Sequence, residues 1–410
     1  MSEAIPHFLA DTWWYGLSKR LSADDFTVLA MLRASQGFTA IQLVVGIPPE
    51  VGPENENAAS EVGFPWTLEG AFNESYLALA RRRVQELNDL GLLAIVYGGW
   101  GHQIAWIGRQ AMTAWWLRLI DQLDDLDVIY CLCGESNLWI GQEGRLKPHQ
   151  STDELTRFEV SRRMPDAIRR FVRRAVRGFD GRRWRRQRAE RRSAWGEVLA
   201  RVARETTRPI IVHPTSTETG REAVENAHLL AVNTAQTGHS RAARDRIWRL
   251  PLACLADDAE KGYVNLEPWY EGIRDSFWME DQLFAYWASM LAGATAHCYG
   301  AHGIWNVGDG RFLAHWGEQT FDEAVALETP RLLGRSHAQL LERMGEGGES
   351  VYREREGRLI VLSRRWGGRG ASFYPDLTYV DGVASGDVWL PLEGEYVDEI
   401  PRRGPCVVFD

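Results

Sequence analysis

Short apolar runs, rich in β-branched and aromatic residues, recur along the first three quarters of the chain and alternate with segments of helical periodicity. Eight such runs can be counted: HFLADTWW (7–14), FTAIQLVVG (38–46), LLAIVYGGW (92–100), VIYCLCGES (128–136), RPIIVHPT (208–215), LLAVNTAQTG (229–238), GYVNLEPWY (262–270) and ATAHCYGAHGIW (294–305). This alternation is typical of repeated βα units around a parallel sheet. Eight strands, with no Gly-rich phosphate loop after the first, predict an α/β fold of the (β/α)8 TIM barrel type rather than an open doubly wound sheet.

The segments between these runs contain helix start and stop signals. Ser22 followed by Asp25 resembles a capping box before FTVLAMLRA, and Gly37 can end that helix. Asn73 can cap the next helix, YLALARRRVQEL, and Gly91 can end it. The first two helices are therefore expected directly after the first two strands.

The pattern changes after about residue 345 to short alternating segments separated by Gly, Pro and Asp. Such segments predict a small antiparallel, sandwich-like β module at 346–410, which we expect to pack against the barrel because it is too small to rely on its own core. The barrel would then occupy 1–345, with an Arg-rich helical insertion at about 150–205.

Composition and charge restrict the class of protein. The 410 residues are 45% hydrophobic and 25% charged, and the net charge of -9 argues against nucleic acid as the main partner. The stretch 157–208 nevertheless carries 18 Arg against six acidic residues. Its apolar positions predict amphipathic helices with a cationic outer face, either solvated or in contact with an acidic neighbouring subunit. A homo-oligomer is therefore plausible.

Neither a membrane segment nor a leader is recognised. No apolar run approaches the roughly 18 residues that a membrane-spanning helix needs, and the start of the chain lacks the basic and apolar regions of a signal peptide. We therefore expect no membrane association and a cytoplasmic location. The five cysteines are scattered and odd in number, which predicts reduced thiols rather than disulfides or a zinc site.

Polar and aromatic residues stand where the apolar strands end, and in a barrel these carboxyl ends build the active site. A ligand with many hydroxyl groups and apolar C–H faces, that is a carbohydrate, requires such a mixture. Besides two glutamates, the candidate substrate-binding residues are Asp11, Trp13, Gln42, Trp100, Asn137, His213, Gln236, His239, Trp269, Tyr270, Tyr299, His302 and Trp305.

The two glutamates are Glu135, at the end of the fourth strand, and Glu267, at the end of the seventh. Burial of either one beside aromatic rings would raise its pKa. Hydrolysis of a glycoside needs one carboxylic acid to protonate the departing oxygen and one carboxylate to attack or stabilise the anomeric carbon. The pair therefore predicts glycosidase chemistry, although a single glutamate at a strand end is as often an ion-pair partner.

The segments HFLADTWWYGLSKRLSADDF, GFTAIQLVV, LNDLGLLAIVYGGWG, IIVHPTS, NTAQTGH, VNLEPWYEGI and HCYGAHGIWN, in that order, resemble the apiosidase-like glycoside hydrolases of family 140, which are similar to the clan A retaining barrels. The resemblance covers about 7–345. It implies an acid/base carboxylate after strand four and a nucleophilic glutamate after strand seven, which map onto Glu135 and Glu267. It also implies a furanoside substrate such as apiose or galactofuranose. Where the family usually has Gly-Gly-Asp, this chain has Cys133-Gly134-Glu135.

In the mechanism that this resemblance implies, Glu267 attacks the anomeric carbon, and Glu135 acts first as acid and then as base. Polar candidates would hold hydroxyl groups and the aromatic ones would form the walls. Several of these residues have alternative structural roles. His213 precedes Pro214 and could cap a helix, and one of Trp13 and Trp14 should face the helix layer. Tyr299 could either donate a hydrogen bond to the nucleophile or fill the barrel end.

Two other functions remain open at this point. A metal-dependent hydrolase could use Glu135, His213 and His239, although the usual His-x-His of the first strand is missing. A sugar-binding barrel without catalysis could keep the aromatic walls and use the carboxylates as hydrogen-bond acceptors. We expect a glycosidase with neither metal nor other cofactor.

Overall fold

The structure is a computed structural model, and it describes residues 5–138, 146–157, 185–258, 261–345 and 347–410. Eight parallel strands form one sheet in the order β5-β4-β3-β2-β1-β8-β7-β6, and helices surround it. The two end strands meet where the amide of Ala231 donates to the carbonyl of Ile210 at 2.9 Å, so the sheet is a nearly closed barrel. The predicted TIM barrel is confirmed.

The barrel strands are β1 Leu9–Trp13, β2 Ala40–Val44, β3 Leu93–Tyr97, β4 Val128–Cys131, β5 Ile210–Ile211, β6 Asn233–Gln236, β7 Tyr263–Glu267 and β8 Ala296–Cys298. The helices are α1 Ala23–Ser35, α2 Glu74–Asp89, α3 Ile104–Leu123, α4 Thr152–Arg157, α5 at 185–202, α6 Gly220–Ala223, α7 Arg246–Asp257, α8 Met279–Leu291, α9 His302–Trp305, α10 Phe321–Val325 and α11 Thr329–Arg343. Each run that predicted a strand contains one.

The predicted helix ends are confirmed for α1 and α2. The side chain of Ser22 accepts a hydrogen bond from the amide of Asp25, and that of Asn73 accepts one from the amide of Tyr76. Just beyond the end of α1, Gly37 has a φ of 89°, a left-handed conformation that glycine adopts without steric cost. These local signals position the loops that carry the chain from one strand to the next.

The C-terminal segment forms a six-stranded antiparallel sheet in the order β13-β12-β14-β11-β10-β9. Its strands are β9 Glu349–Arg355, β10 Arg358–Trp366, β11 Arg369–Tyr374, β12 Asp387–Leu390, β13 Glu395–Val397 and β14 Cys406–Phe409. One face packs on α8, where Phe373 lies 6.0 Å from Phe284 and Phe409 lies 6.0 Å from Trp287, measured between ring centroids. The helices of the barrel thus supply the second layer of the small module.

Only the ends of the predicted Arg-rich insertion can be described, since 158–184 lies outside the described residues. The part from 185 to 202 is helical. All five cysteines are buried and free. Among the helices that the structure describes, none combines the length and the apolar character needed to cross a membrane.

The first strand faces the opposite way from our expectation. Asp11 and Trp13 point outward, towards α1, where the Arg33 guanidinium Nε donates to Asp11 Oδ2 at 2.6 Å and the Trp13 ring meets Phe26 edge-on. Trp13 Nε1 also donates to this carboxylate at 2.8 Å. Asp11 and Arg33 are both fully buried. Asp11 and Trp13 therefore lie between barrel and helices instead of at a substrate site, because side chains alternate along a strand.

We predict that Arg33→Met lowers the free energy of unfolding by about 3 to 5 kcal/mol, because it leaves the buried Asp11 carboxylate without its counter-charge. Arg81→Met is the matched control, since it removes an arginine from the exposed pair with Asp125 and should cost about 1 kcal/mol or less. Urea unfolding of both variants measures the difference. An Arg33→Met variant no less stable than Arg81→Met contradicts the prediction.

Candidate active site

A pocket opens at the carboxyl ends of the barrel strands and encloses about 490 Å³ including its mouth. Indole and phenol rings alternate with carboxyl and amide groups around it, and the lining residues are Trp14, Pro49, Glu50, Trp100, Glu135, Gln236, His239, Glu267, Tyr270, Ile273, Trp305 and Trp316.

Glu135 follows a closely packed backbone turn after β4, which places its side chain at the pocket. The amide of Gly134 donates to the carbonyl of Gly99 at 3.0 Å, and the amide of Gly101 donates to the carbonyl of Gly134 at 2.7 Å. A Cβ at Gly134 would lie 2.3 Å from the Trp100 ring, so only glycine fits. Glu135 itself has a left-handed φ of 47°. This strained turn directs the carboxyl group towards Trp100 and the pocket.

The Glu135 carboxyl group is protonated at neutral pH. Burial disfavours its charged form most, the negative charge of Glu267 adds to this effect, and together they raise its pKa to about 8. Trp100 Nε1 donates to Glu135 Oε2 at 3.3 Å, which favours the charged form without offsetting the other two causes. Glu135 can therefore donate a proton near neutral pH.

Glu267 is brought into position by a β-bulge between β6 and β7. Ala235 pairs with Asn265, and the next pair is Gln236 with Glu267, so Leu266 is the extra residue. Gln236 and Glu267 consequently lie directly opposite each other. The amide Nε2 of Gln236 donates to Oε1 of Glu267 at 2.5 Å.

His239 supplies the second donor to the same oxygen. Its Nδ1 accepts the backbone N–H of Tyr270 at 3.3 Å, so the ring proton resides on Nε2, which lies 3.0 Å from Glu267 Oε1. Burial opposes ionisation of Glu267, but the hydrogen bonds from His239 and from the Gln236 amide outweigh it and hold the pKa below its usual value. Glu267 is therefore the charged member of the pair.

Beneath Glu267 lie His213 and Tyr270. His213 is fully buried, which lowers its pKa to about 4 and keeps it neutral, and its Nε2 is 3.6 Å from Glu267 Oε2. The hydroxyl of Tyr270 accepts from Trp14 Nε1 at 3.1 Å. Burial and the charge of Glu267 raise the Tyr270 pKa well above its usual value, so this phenol stays protonated beside the carboxylate.

A polar layer inside the barrel supports this arrangement. The amide Nε2 of Gln42 donates to Thr12 Oγ1 at 2.5 Å and to the carbonyl of Leu266 at 3.0 Å, and its Oε1 accepts from the hydroxyl of Tyr97 at 2.9 Å. Gln42 is fully buried. It therefore fixes the backbone just before Glu267 and does not face the pocket, where we expected it to hold a hydroxyl group.

The structure brings together seven of the residues expected at the site: Trp100, Glu135, Gln236, His239, Glu267, Tyr270 and Trp305. His213 and Gln42 lie below them, inside the barrel. Asp11, Trp13, Asn137, Trp269, Tyr299 and His302 do not line the pocket.

Two of the expected aromatic walls face elsewhere. Tyr299 donates its hydroxyl to Glu271 Oε2 at 2.6 Å, and Thr329 of α11 donates to the other oxygen at 2.7 Å. Tyr299 thus ties β8 to α11. Tyr270, not Tyr299, lies beside Glu267. Trp269 stacks on Phe277 at 4.9 Å, outside the barrel mouth.

The remaining two residues brace loops. The side-chain Oδ1 of Asn137 accepts from the backbone amide of Thr215 at 2.6 Å, and its Nδ2 donates to Glu218 Oε2 at 2.8 Å, which joins the loops after β4 and β5. His302 Nε2 donates to the carbonyl of Gly317 at 2.7 Å. Both side chains hold the rim of the pocket in place.

Five lining residues were missed from the sequence: Trp14, Pro49, Glu50, Ile273 and Trp316. Trp14 is the neighbour of a residue that we chose, and the sequence contained the signal that one of the two tryptophans must face inward. The other four stand in loops several residues beyond a strand end. Their sequence carries no periodic signal that could have placed them.

Glu50 anchors the mouth of the pocket through a charged cluster. His315 Nδ1 donates to Asp153 Oδ1 at 2.9 Å, and His315 Nε2 lies 3.6 Å from Glu50 Oε2. Burial would lower the His315 pKa, but the two carboxylates outweigh it and raise the pKa to about 9. A protonated His315 therefore holds the loops after β2, β4 and β8 together.

The described part of the chain contains no group of three or more His, Cys, Asp or Glu side chains arranged to hold a metal ion. His239 uses both ring nitrogens in hydrogen bonds to the protein. The metal-dependent hydrolase alternative therefore finds no ligand set among these residues.

Comparison with known proteins identifies the family of the chain. The family model described as "Apiosidase-like, catalytic domain" matches residues 4–334. Similar solved structures include a family 5 glycoside hydrolase from Bacteroides vulgatus, with a TM-score of 0.71 and 14% identity over 98% of this chain and 89% of that one. Another, described as a glycoside hydrolase, has a TM-score of 0.70 and 14% identity over 98% and 92% of the two chains.

A GH5_18 enzyme from Streptomyces cattleya in complex with GlcNAc shares the fold with a TM-score of 0.52 and 11% identity over 83% of this chain and 81% of that one. No curated protein matches the sequence. At such low identity the solved structures support the barrel fold, and the family model supports the identity. The chain belongs to the apiosidase-like family of glycoside hydrolases.

Proposed function

We propose that this glycoside hydrolase retains anomeric configuration, with Glu267 as nucleophile and Glu135 as acid/base. The observation that carries the proposal is the contrast between the surroundings of two carboxyl groups in one pocket. Gln236 and His239 both donate to Glu267 Oε1 and keep its pKa low, whereas burial and the negative charge of Glu267 raise the pKa of Glu135 to about 8. Two carboxyl groups whose environments separate their protonation states are suited to one acid and one nucleophile.

In the first step, the Glu267 carboxylate attacks the anomeric carbon and forms a glycosyl ester, while the glycosidic C–O bond breaks. The proton of Glu135 moves to the departing oxygen. In the second step, the now ionised Glu135 takes a proton from water, whose oxygen attacks the anomeric carbon and releases Glu267 as a carboxylate. Every proton and electron pair is returned at the end of the cycle.

The other pocket residues support these roles. Gln236 and His239 hold Glu267 Oε1, so the carboxylate is oriented and charged before substrate arrives. The tryptophan rings of the lining provide flat apolar surfaces for the C–H faces of a sugar; they are Trp14, Trp100, Trp305 and Trp316.

A neutral glycone suits the charge of the pocket. Besides His239, its ionisable lining groups within the described residues are the carboxyl groups of Glu50, Glu135 and Glu267, of which Glu135 is neutral at pH 7, and no Lys or Arg is among them. An anionic sugar would therefore be repelled. The family to which the chain belongs suggests a furanoside such as an apioside, and galactofuranosides are the second candidate.

We predict that Glu267→Ala lowers kcat at least about 1,000-fold for every accepted glycoside, since no other group can form the ester. Glu135→Ala should lower it about 100- to 10,000-fold for a poor leaving group and much less for 4-nitrophenol, which needs little protonation. Both effects are measured by comparing kcat for 4-nitrophenyl furanosides and pyranosides, which have a good leaving group, with kcat for glycosides whose leaving group is another sugar.

The control for these variants is Glu61→Ala, which changes an exposed glutamate in the loop after β2 and should leave kcat unchanged. Turnover of Glu267→Ala within a few fold of the parent contradicts the assignment. So does a parent protein that binds oligosaccharides without releasing any reducing sugar, which would indicate a binding barrel.

We further predict a bell-shaped pH dependence of kcat/KM. Activity should fall as the pH rises through about 8, because Glu135 loses the proton that it must donate. It should also fall at acidic pH, below the usual pKa of a glutamate, because Glu267 becomes protonated. In Glu135→Ala, assayed with a 4-nitrophenyl glycoside, the alkaline limb should vanish; an unchanged alkaline limb would assign it to another group.

The raised pKa of Glu135 should also appear in the pH dependence of the free energy of unfolding, which is measured without any substrate. Glu135 holds its proton up to about pH 8 in the folded state but only to about 4.5 in the unfolded chain, so this group removes stability as the pH rises between these values. Glu135→Gln cannot ionise. Its free energy of unfolding relative to the parent should therefore rise from pH 5 to pH 8 and then level off.

Urea unfolding at pH 5, 6.5, 8 and 9 measures this difference, with Glu61→Gln as the control that should show no such trend. A constant difference between Glu135→Gln and the parent across this range would mean that the Glu135 pKa is not raised.

A further inference from the structure

A second basin adjoins the catalytic pocket, between the loops that follow β7 and β8. It encloses about 1200 Å³ including its open side. Its walls combine one large ring with polar and charged groups, among them Arg274, Asp275, Trp278, His315, Glu318 and Gln319. None of these six residues lines the catalytic pocket itself.

The basin and the pocket share one thin wall. Ile273 lines the pocket and its neighbour Arg274 lines the basin; likewise Trp316 lines the pocket, whereas His315 and Gly317 on either side of it line the basin. The two segments are joined, because the amide of Arg274 donates to the carbonyl of Trp316 at 2.5 Å and the guanidinium of Arg274 lies 4.4 Å from the Trp316 ring centroid. A ligand that leaves the pocket over this wall enters the basin.

Trp278 gives the basin a platform for a sugar ring. It is 43% exposed, and it is the only tryptophan among the exposed large hydrophobic residues of the described chain. The segment before it is held in an unusual shape, since Arg274, Asp275 and Phe277 all have left-handed φ values. Such strain persists only where surrounding contacts enforce it and is common at ligand sites. Here it presents a rigid indole to solvent beside hydroxyl-binding groups.

The position of the basin indicates which end of a substrate it receives. The leaving group departs on the side opposite the attacking Glu267 and must meet Glu135, which follows β4. The basin lies between the loops of β7 and β8, almost half a turn of the barrel away from β4. It is therefore on the side of the sugar that is retained, not on the side of the leaving group.

We propose that this basin binds a second sugar unit, attached to the glycone and stacked on Trp278, so that the preferred substrate carries at least a disaccharide on the retained side. This rests on the proposed glycosidase function. The second unit should be rich in hydroxyl groups, because the basin offers carboxylates, an amide, an arginine and a protonated His315 around the ring.

The experiment compares 4-nitrophenyl mono- and disaccharides of the same glycone, such as the β-glucoside with the cellobioside and the β-mannoside with the mannobioside, together with furanoside pairs. The leaving group is identical within a pair, so the demand on Glu135 is the same. For the parent, kcat/KM should favour the disaccharide by about tenfold or more through a lower KM. Trp278→Ala should reduce that preference about tenfold, and Trp278→Phe should keep most of it.

Tyr379→Ala is the matched control, because Tyr379 is a 46% exposed aromatic residue in the short 3-10 helix between β11 and β12. The disaccharide preference of this variant should equal that of the parent. A parent without preference for any disaccharide overturns the proposal, and so does a preference that survives in Trp278→Ala. Failure of the glycosidase assignment would give another result. In that case neither the monosaccharide nor the disaccharide of any pair would be hydrolysed, or the Glu267→Ala variant would hydrolyse both.

Discussion

Two hydrogen bonds to one carboxylate oxygen determine the protonation of the whole site. Gln236 and His239 both donate to Glu267 Oε1, and they keep this buried group charged against the effect of desolvation. A charged Glu267 in turn disfavours ionisation of Glu135, which lies in the same aromatic pocket. Without these donors the two carboxyl groups would compete for the same proton, and neither role would be fixed.

Features of the barrel wall position Glu267, its two hydrogen-bond donors and Glu135. The bulge between β6 and β7 sets Gln236 opposite Glu267, and the buried amide of Gln42 secures the preceding carbonyl. On the other side, Gly134 permits the close approach of Trp100 that leads into the turn at Glu135. Glu135 and Glu267 are thus held by backbone geometry, while the charged cluster of Glu50, His315 and Asp153 fastens the loops above them.

The strands and the two catalytic candidates could be predicted from the sequence, because parallel strands buried on both faces stand out as apolar runs and the first polar residues after them lie at the active end. The same burial explains the error at β1. All five of its residues are buried, so no apolar and polar alternation revealed that Trp14, and not Asp11 or Trp13, faces the pocket. Glu50 and Trp316 lie far along loops, where tertiary contacts alone determine direction.

A nucleophilic Glu267 must form a covalent bond to the sugar. Incubation with a 2-deoxy-2-fluoro glycoside that carries a good leaving group, followed by proteolysis and mass spectrometry, detects this bond, because the fluorine slows hydrolysis of the ester. We expect one glycosyl unit on the peptide that contains Glu267, and none on that peptide in Glu267→Gln. A label on another carboxylate, or inactivation without any label, would contradict it.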